Sequence, residues 1–418
     1  MSAPAWPRIG IPVSLLAIAL SISAGGAQPA DQQQPDRPLR QSTDASPERR
    51  GPLIPPVLPA IERRIAAPFN SEDERRGLRI EHGLWTDEDL DTPARRARAA
   101  LISGAIDHPD LFDERADTLD RAEAARRRGD LEDALALLGG ESSLRAIRIR
   151  AHTLFQLGRF DEADAAVTPA VERLARVNVS DAGELAEGVR ALQIRSSIRG
   201  PERVGGGDYQ TMLSLLQRGR ERLDRLSWRV RLAEAELLYD KHNIQEAAGA
   251  AGEALRRNPR SAQALALLGR IMVDRFDMDN AARVARTLDE LADRAGGSNP
   301  AGARVLARAR LRRRDPVGAH MALDQALDRF PDQRMALALE AAASATAFDQ
   351  RRLETELQRF DELSPGSPRA LFEVGAALSE ARQYADAEAV LLGAIDRLPN
   401  WPRPHIELGL LSMQAGDD

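Results

Sequence analysis

The fold is decided by residues 368–401, which read PRALFEVGAALSEARQYADAEAVLLGAIDRLPNW. Apolar and small side chains recur there at helical spacing, in two runs that a polar segment separates. The first run is Leu371, Val374, Gly375 and Leu378, and the second is Ala387, Val390, Leu391 and Ala394. Proline cannot continue a helix, so Pro399 ends the second run. The stretch therefore predicts two short helices joined by a tight connection.

The same unit recurs along the chain with a period of 34 residues. Closing prolines, glycines in the first helix and alanines that open the second helix all repeat at this distance. They are Pro331, Pro365 and Pro399; Gly375 and Gly409; and Ala247 and Ala281. A helix pair with an apolar face on each side cannot bury both alone, so neighbouring pairs must stack into one core. The period predicts an all-α array in which Gly and Ala let paired helices approach closely.

This pattern resembles the tetratricopeptide repeat (TPR) family, whose signature has a Leu-Gly pair in the first helix, small residues in the second and a closing proline. Unit 368–401 carries it at Gly375, Leu378, Ala387, Leu391, Ala394 and Pro399. The resemblance covers roughly 110–418, in units 115–140, 144–174, 181–225, 228–261, 262–295, 300–333, 334–367 and 368–401. It implies a TPR-like α-solenoid, a right-handed superhelix of antiparallel helix pairs.

The last repeat, 401–418, is incomplete by this register, because it contains a first helix and no second one. Its apolar residues Ile406, Leu410 and Met413 fall on faces that the preceding unit does not cover. We therefore expect that the native protein is longer or that this end docks a partner.

Residues 1–27 are predicted to be a secretory signal peptide. Arg8 precedes an uncharged segment with an apolar centre over 11–22, and small residues follow up to Ala27, where we expect cleavage. The apolar centre is shorter than the ~20 residues that a membrane span needs. The predicted localisation is periplasmic or otherwise extracytoplasmic. The alternative is an uncleaved inner-membrane anchor, and membrane contact is expected only through this segment.

Two further segments precede the array. Residues 28–60 are rich in Pro and Gln and have little to bury, so we predict a disordered linker. Residues 61–109 are predicted to form transitional helices, with a capping box over 71–74 and a helix that begins after Thr92.

The composition excludes several functional classes. The 418 residues carry a formal charge of −6 and no cysteine, which excludes a disulfide scaffold, an iron–sulfur protein and a thiol nucleophile. The acidic balance and the export signal argue against nucleic-acid binding. The six histidines are scattered, and no HExxH, GxGxxG, P-loop or G-x-S-x-G motif occurs. We predict a protein that is not an enzyme and has no cofactor or metal site.

The resemblance implies that the first helices line a concave groove. By register, the candidate groove residues are Arg126, Arg127, Arg145, Arg148, His152, Phe155, Tyr239, Arg270, Arg304, Arg308 and Arg312. Guanidinium groups suit carboxylates, so an acidic protein segment or peptide is the expected partner. The predicted function is a non-catalytic protein–protein interaction scaffold outside the cytoplasm. The alternative is the regulatory or docking half of a larger envelope enzyme whose catalytic domain is absent from this chain.

Overall fold

The computed structural model of the chain describes residues 52–176, 179–200 and 208–415. Its regular structure in these ranges is helical throughout, with twenty α-helices and no strand. The predicted signal peptide and most of the predicted linker lie outside the described residues.

The first nine helices are α1 Pro59–Ile65, α2 Glu72–Glu81, α3 Pro93–Ser103, α4 Thr118–Arg128, α5 Leu131–Leu138, α6 Leu144–Gln156, α7 Phe160–Ala175, α8 Ala182–Arg199 and α9 Asp208–Arg218. The next eleven are α10 Trp228–Asp240, α11 Ile244–Leu255, α12 Ala262–Asp274, α13 Met278–Arg294, α14 Pro300–Arg312, α15 Pro316–Arg329, α16 Arg334–Thr346, α17 Gln350–Leu363, α18 Arg369–Glu380, α19 Tyr384–Arg397 and α20 Pro402–Ala415.

From α4 onward, each even-numbered helix is the first of a pair and the next odd-numbered helix is the second. The pairs α4/α5 to α18/α19 coincide with the predicted units, and α20 is the predicted lone first helix. Each first helix also packs against the first helix of the next pair, so the first helices form an inner layer. The chain is thus an α-solenoid, as the 34-residue period predicts.

Small residues allow the close approach within each pair. A Cβ added to Gly375 of α18 would lie 2.7 Å from Cγ of Leu391 in α19. A Cβ on Gly269 of α12 would lie 2.9 Å from methyl groups of both Val284 and Val305. Real Cβ atoms do not approach so closely, so a larger residue would force the helices apart. The alanines that open second helices, including Ala387, are fully buried, which confirms the predicted register.

The helices before the array begin where their capping residues predict. Ser71 and Glu74 form the reciprocal capping box of α2, and the Thr92 hydroxyl accepts a hydrogen bond from the backbone N–H of Arg95 at the start of α3. The described end of the predicted linker, residues 52–60, is not free chain: Leu53 and Ile54 pack against the core of the later repeats. These two apolar residues among the prolines attach the segment to the core.

The solenoid returns on itself after one superhelical turn. The C-terminal ends of α2, α3 and the early first helices contact the loops that precede later first helices. We call this line of contact the seam. The facing residues are Gly83 and Asn258, Gly104 and Asn299, Gly129 and Asp332, Gly158 and Pro365, and Gly200 and Asn400. Within the array, α4 meets the loop before α16, α6 the loop before α18 and α8 the loop before α20. Six helix pairs therefore complete the turn.

Hydrogen bonds to backbone carbonyls hold the seam together along its length. The side-chain amide of Asn258 donates to the carbonyl of Glu81 at 2.9 Å, and the backbone N–H of Ile106 donates to the carbonyl of Ser298 at 3.2 Å. The buried guanidinium of Arg334 donates to the carbonyl of Gly129 at 2.6 Å. The carbonyls of Glu81 and Gly129 lie at helix ends, which need partners outside the helix. The seam supplies those partners and encloses the face that an open solenoid would present as a groove.

Within the described residues, no helix combines the length and the apolar character needed to cross a membrane.

Candidate functional site

The inner layer of first helices carries a chain of buried ion pairs. The carboxylate of Glu123 on α4 contacts Arg126 at 2.7 Å and Arg127 at 2.8 Å on the same helix, and Arg148 on α6 at 2.8 Å. Arg148 also contacts Glu187 on α8 at 2.6 Å. Burial alone would raise the pKa of Glu123, but the attraction of these guanidiniums outweighs it and holds that pKa well below its ordinary value. The ion pairs join three successive first helices, α4, α6 and α8.

A second set of pairs connects the later helices. Arg308 on α14 contacts Glu373 on α18 at 2.7 Å, and Arg312 is paired with Glu380 on the same α18. The Tyr239 hydroxyl donates to the carboxylate of Asp274 at 2.7 Å. Glu373 is nearly fully buried, so removing Arg308 leaves an uncompensated charge, which costs several kcal/mol, roughly 3–5. Arg308 is therefore needed by the fold, and Arg312 is engaged in a partly exposed ion pair.

Between these two sets, a cavity of about 230 Å³ opens inside the superhelical turn. Helices α4, α6, α10, α12, α14 and α16 contribute to its wall, together with the connection after α3 and the loops before α14 and α16. Its charged lining residues are Arg126, Arg127, Arg270, Arg304, Arg308 and Glu236. Five guanidiniums thus face a single carboxylate, and Glu236 already accepts hydrogen bonds from Arg190 at 2.6 and 3.0 Å. The cavity has an excess of positive charge.

Arg304 differs from Arg126, Arg127 and Arg308 because it lacks a compensating partner. Among the described residues, no hydrogen bond or ion pair reaches its guanidinium. Burial lowers the pKa of Arg304 to about 9, and repulsion from Arg270, Arg308, Arg126 and Arg127 acts in the same direction. Arg304 is partly buried, and a positive charge without a partner is unfavourable there, so an anion in the cavity would stabilise it.

Arg270 shares the cavity wall with Arg304 but has a different environment. Its guanidinium stacks on the ring of Tyr239, 4.7 Å from the centroid. In the described part of the chain it makes no ion pair, so its N–H groups remain available to an anion. Two arginines on neighbouring first helices, α12 and α14, therefore present donors to the cavity.

The remaining predicted groove residues lie away from this cavity. Arg145 pairs with Asp120 at the start of α4, and burial and nearby arginines hold the pKa of His152 well below its ordinary value. Phe155 packs edge-to-face on Phe160, with ring centroids 5.3 Å apart. Of the eleven predicted groove residues, the structure brings five together around the cavity. The others stabilise the inner layer.

Sequence reasoning missed the acidic partners of the arginines and the polar lining of the cavity. Glu123, Glu187 and Glu373 sit on first helices beside the arginines, and each is nearly fully buried. The sequence does indicate one of these pairs, because Glu123 and Arg126 are three residues apart and therefore lie on the same face of one helix. Reading both signs of charge together would have paired Arg126 and Arg127 with Glu123, but not Arg308, whose partner Glu373 is far away in sequence.

This chain is similar to several solved structures at low sequence identity. No family model matches this sequence, and no curated protein sequence matches it. The crystal structure of the APC/C hetero-tetramer Cut9-Hcn1 is similar over 81% of this chain and 69% of that one, with 11% identity and a TM-score of 0.47. The human IFIT1 dimer with PPP-AAAA is similar over 76% and 77%, with 15% identity and a TM-score of 0.40. The C-terminal part of a TPR repeat-containing protein from Cytophaga hutchinsonii is similar over 62% and 99%, with 13% identity and a TM-score of 0.32.

All three TM-scores lie below 0.5, so the assignment of the architecture rests on this chain's own helices. Eight helix pairs fall in the predicted units, and from α10 to α20 the first helices begin 33 to 38 residues apart. Gly and Ala lie at the predicted close contacts, and the first helices form one inner layer. These features identify the chain as a TPR-like α-solenoid protein.

Proposed function

We propose that this protein is a non-catalytic scaffold that binds an acidic segment of a protein partner at the arginine-lined cavity inside its superhelical turn. The observation that carries the proposal is the uncompensated guanidinium of Arg304 beside Arg270. A carboxylate accepts two parallel N–H bonds from one guanidinium, so aspartate or glutamate side chains suit this pair.

The size of the cavity limits what can enter it. Its 230 Å³ is below the roughly 300–1,000 Å³ of pockets that hold drug-sized ligands. One or two acidic side chains fit this space, whereas a folded domain does not. The partner therefore contributes a segment that inserts carboxylates while the rest of it stays outside the turn.

The proposal includes the location of the protein. An apolar N-terminal stretch followed by small residues supports export, so we place the scaffold and its partner outside the cytoplasm, with the anchored form as the alternative. The scaffold acts there by holding its partner, and no group in the cavity is assigned a catalytic role.

The test uses the purified chain and a labelled hexaglutamate peptide, followed by fluorescence anisotropy. Arg304→Gln removes the uncompensated charge, and Arg310→Gln is its matched control, because Arg310 lies on the exposed face of the same helix. We expect Arg304→Gln to weaken binding about tenfold or more, since a hydrogen bond to a charged group contributes roughly 1.5–3 kcal/mol. Arg310→Gln should bind like the wild type.

Two further readouts separate loss of the site from loss of the fold. Binding should fall with added salt, because screening acts over about 8–10 Å near physiological ionic strength. Arg304→Gln should melt at a temperature equal to or above that of the wild type, because it removes a partly buried, unpaired charge. Equal peptide binding by both variants would refute the proposal. Charge reversal at Arg308 or Arg312 is unsuitable here, because it would break ion pairs that the fold needs.

A further inference from the structure

A second cluster of ligating side chains lies outside the cavity, on three consecutive helices. His320 on α15, Glu340 on α16 and Glu356 on α17 each place one ligand atom within 4.8 Å of the other two. Glu340 and Glu356 are nearly fully buried, at 4% and 9% exposure, whereas His320 is partly exposed. The cluster is thus a buried carboxylate pair with a histidine on its solvent side.

Arg352 holds one oxygen of each carboxylate. Its Nε donates to Oε1 of Glu356 at 2.8 Å, and its terminal nitrogen donates to Oε1 of Glu340. His320 Nδ1 also lies 2.8 Å from Oε1 of Glu340. These contacts fix the orientation of the carboxylates, as hydrogen bonds from outer groups do for the ligands of metal ions.

The other oxygen of Glu340 has no partner. Its Oε2 is buried, and no hydrogen bond reaches it within the described residues. Two carboxylates face one guanidinium, so the cluster keeps an unmatched negative charge. A buried carboxylate oxygen without a hydrogen-bond partner is unfavourable, and a bound cation would supply the missing partner.

We propose that His320, Glu340 and Glu356 form a binding site for a divalent transition-metal ion, with Zn²⁺ as the preferred ion. Imidazole nitrogen and carboxylate oxygens are ligands that Zn²⁺ accepts, and three protein ligands leave a fourth position open to water. The ion would tie α15, α16 and α17 together. This site is separate from the arginine-lined cavity, and the proposal stands without the proposed function.

The test is a titration of the purified full chain with Zn²⁺ alone, followed by isothermal calorimetry at pH 7.5. Glu356→Gln removes one ligand, and Glu354→Gln is the matched control, because Glu354 is exposed on the same helix two residues away. We expect one equivalent of Zn²⁺ to bind to the wild type and to the control. Glu356→Gln and His320→Gln should each weaken binding at least tenfold. His320→Gln keeps the test decisive if the buried variant misfolds, because His320 is partly exposed.

The pH dependence supplies a second readout. Zn²⁺ requires a deprotonated imidazole, so binding by the wild type should weaken markedly from pH 7.5 to pH 5.5. Absence of stoichiometric binding by the wild type would overturn the proposal and leave the cluster as an ion pair network around Arg352. Equal binding by Glu356→Gln, His320→Gln and the control would also overturn it, because the ion would then sit elsewhere.

Discussion

Replacement of Gly158 by alanine tests the closed superhelical turn directly. Gly158 follows α6 with φ +79°, and a Cβ there would lie 2.3 Å from the carbonyl oxygen of Pro365 across the seam. Gly366 is the matched control: its φ is +76°, it lies beside the same contact, and an added Cβ would meet nothing within 4 Å. Both variants share the left-handed backbone cost of about 1–2 kcal/mol, so their difference isolates the steric clash.

We expect Gly158→Ala to lose about 1–3 kcal/mol more free energy of unfolding than Gly366→Ala, which is the usual cost of overpacking against backbone. Urea unfolding followed by circular dichroism measures this difference. For a slope of about 2–3 kcal/mol/M, the unfolding midpoints should differ by roughly 0.3–1.5 M. Equal midpoints for the two variants would mean that α6 does not rest against the loop before α18 in solution, and the enclosed cavity would then be an open groove.

The remaining predictions concern the repeat register, a buried carboxyl and export. Ala387→Phe should cost about 1–3 kcal/mol because Ala387 is fully buried in its helix pair, whereas Ala389→Phe on the exposed face of α19 should not; equal thermal melts would mean that the register is wrong. Burial raises the pKa of Glu380 to about 7, so its contribution to stability is present below about pH 4.3 and is lost as the pH rises through 7. In the Glu380→Gln variant, the free energy of unfolding should therefore decrease less as the pH rises through this range, with a difference of at most about 3 kcal/mol from the wild type. An unchanged pH profile of urea unfolding would contradict the raised pKa of Glu380. Mass spectrometry of the exported protein should find its first residue near Gln28, whereas an intact Met1 in the membrane fraction would favour the anchor.

The repeat register could be predicted from sequence because its causes are local. Each first helix needs a glycine or alanine where the second helix crosses it, and each second helix needs a residue that ends it. Gly375, Ala387 and Pro399 therefore fix the positions of two helices within one 34-residue unit. The nearest-neighbour packing of a solenoid repeats the same requirement in every unit. Degenerate units such as 334–367 still fall into register, because their neighbours on both sides fix their position.

The free or paired state of the groove arginines could not be predicted in the same way. Whether Arg308 is available depends on Glu373, 65 positions away on a helix two repeats later. The fold brings the two together through the curvature of the inner layer, which the repeat pattern of one unit does not specify. Arg304 has the same residue type and a similar register position, yet it finds no carboxylate. Site prediction therefore needed the superhelical geometry as well as the register.

The seam corresponds to a pattern in the sequence that can be recognised only once the structure is known. Where a first helix ends within the seam, the left-handed connection is glycine, as at Gly129 and Gly158. Connections at the same place in later repeats also have positive φ but carry larger residues. For such residues the left-handed backbone conformation costs about 1–2 kcal/mol of conformational energy. These are His242, Phe276, Arg314, Phe348 and Arg382. A side chain is tolerated only where no loop lies above the connection, and Phe276 and Phe348 are indeed largely exposed. The change from glycine to larger residues along the chain therefore marks where the covered edge of the solenoid ends and its free edge begins.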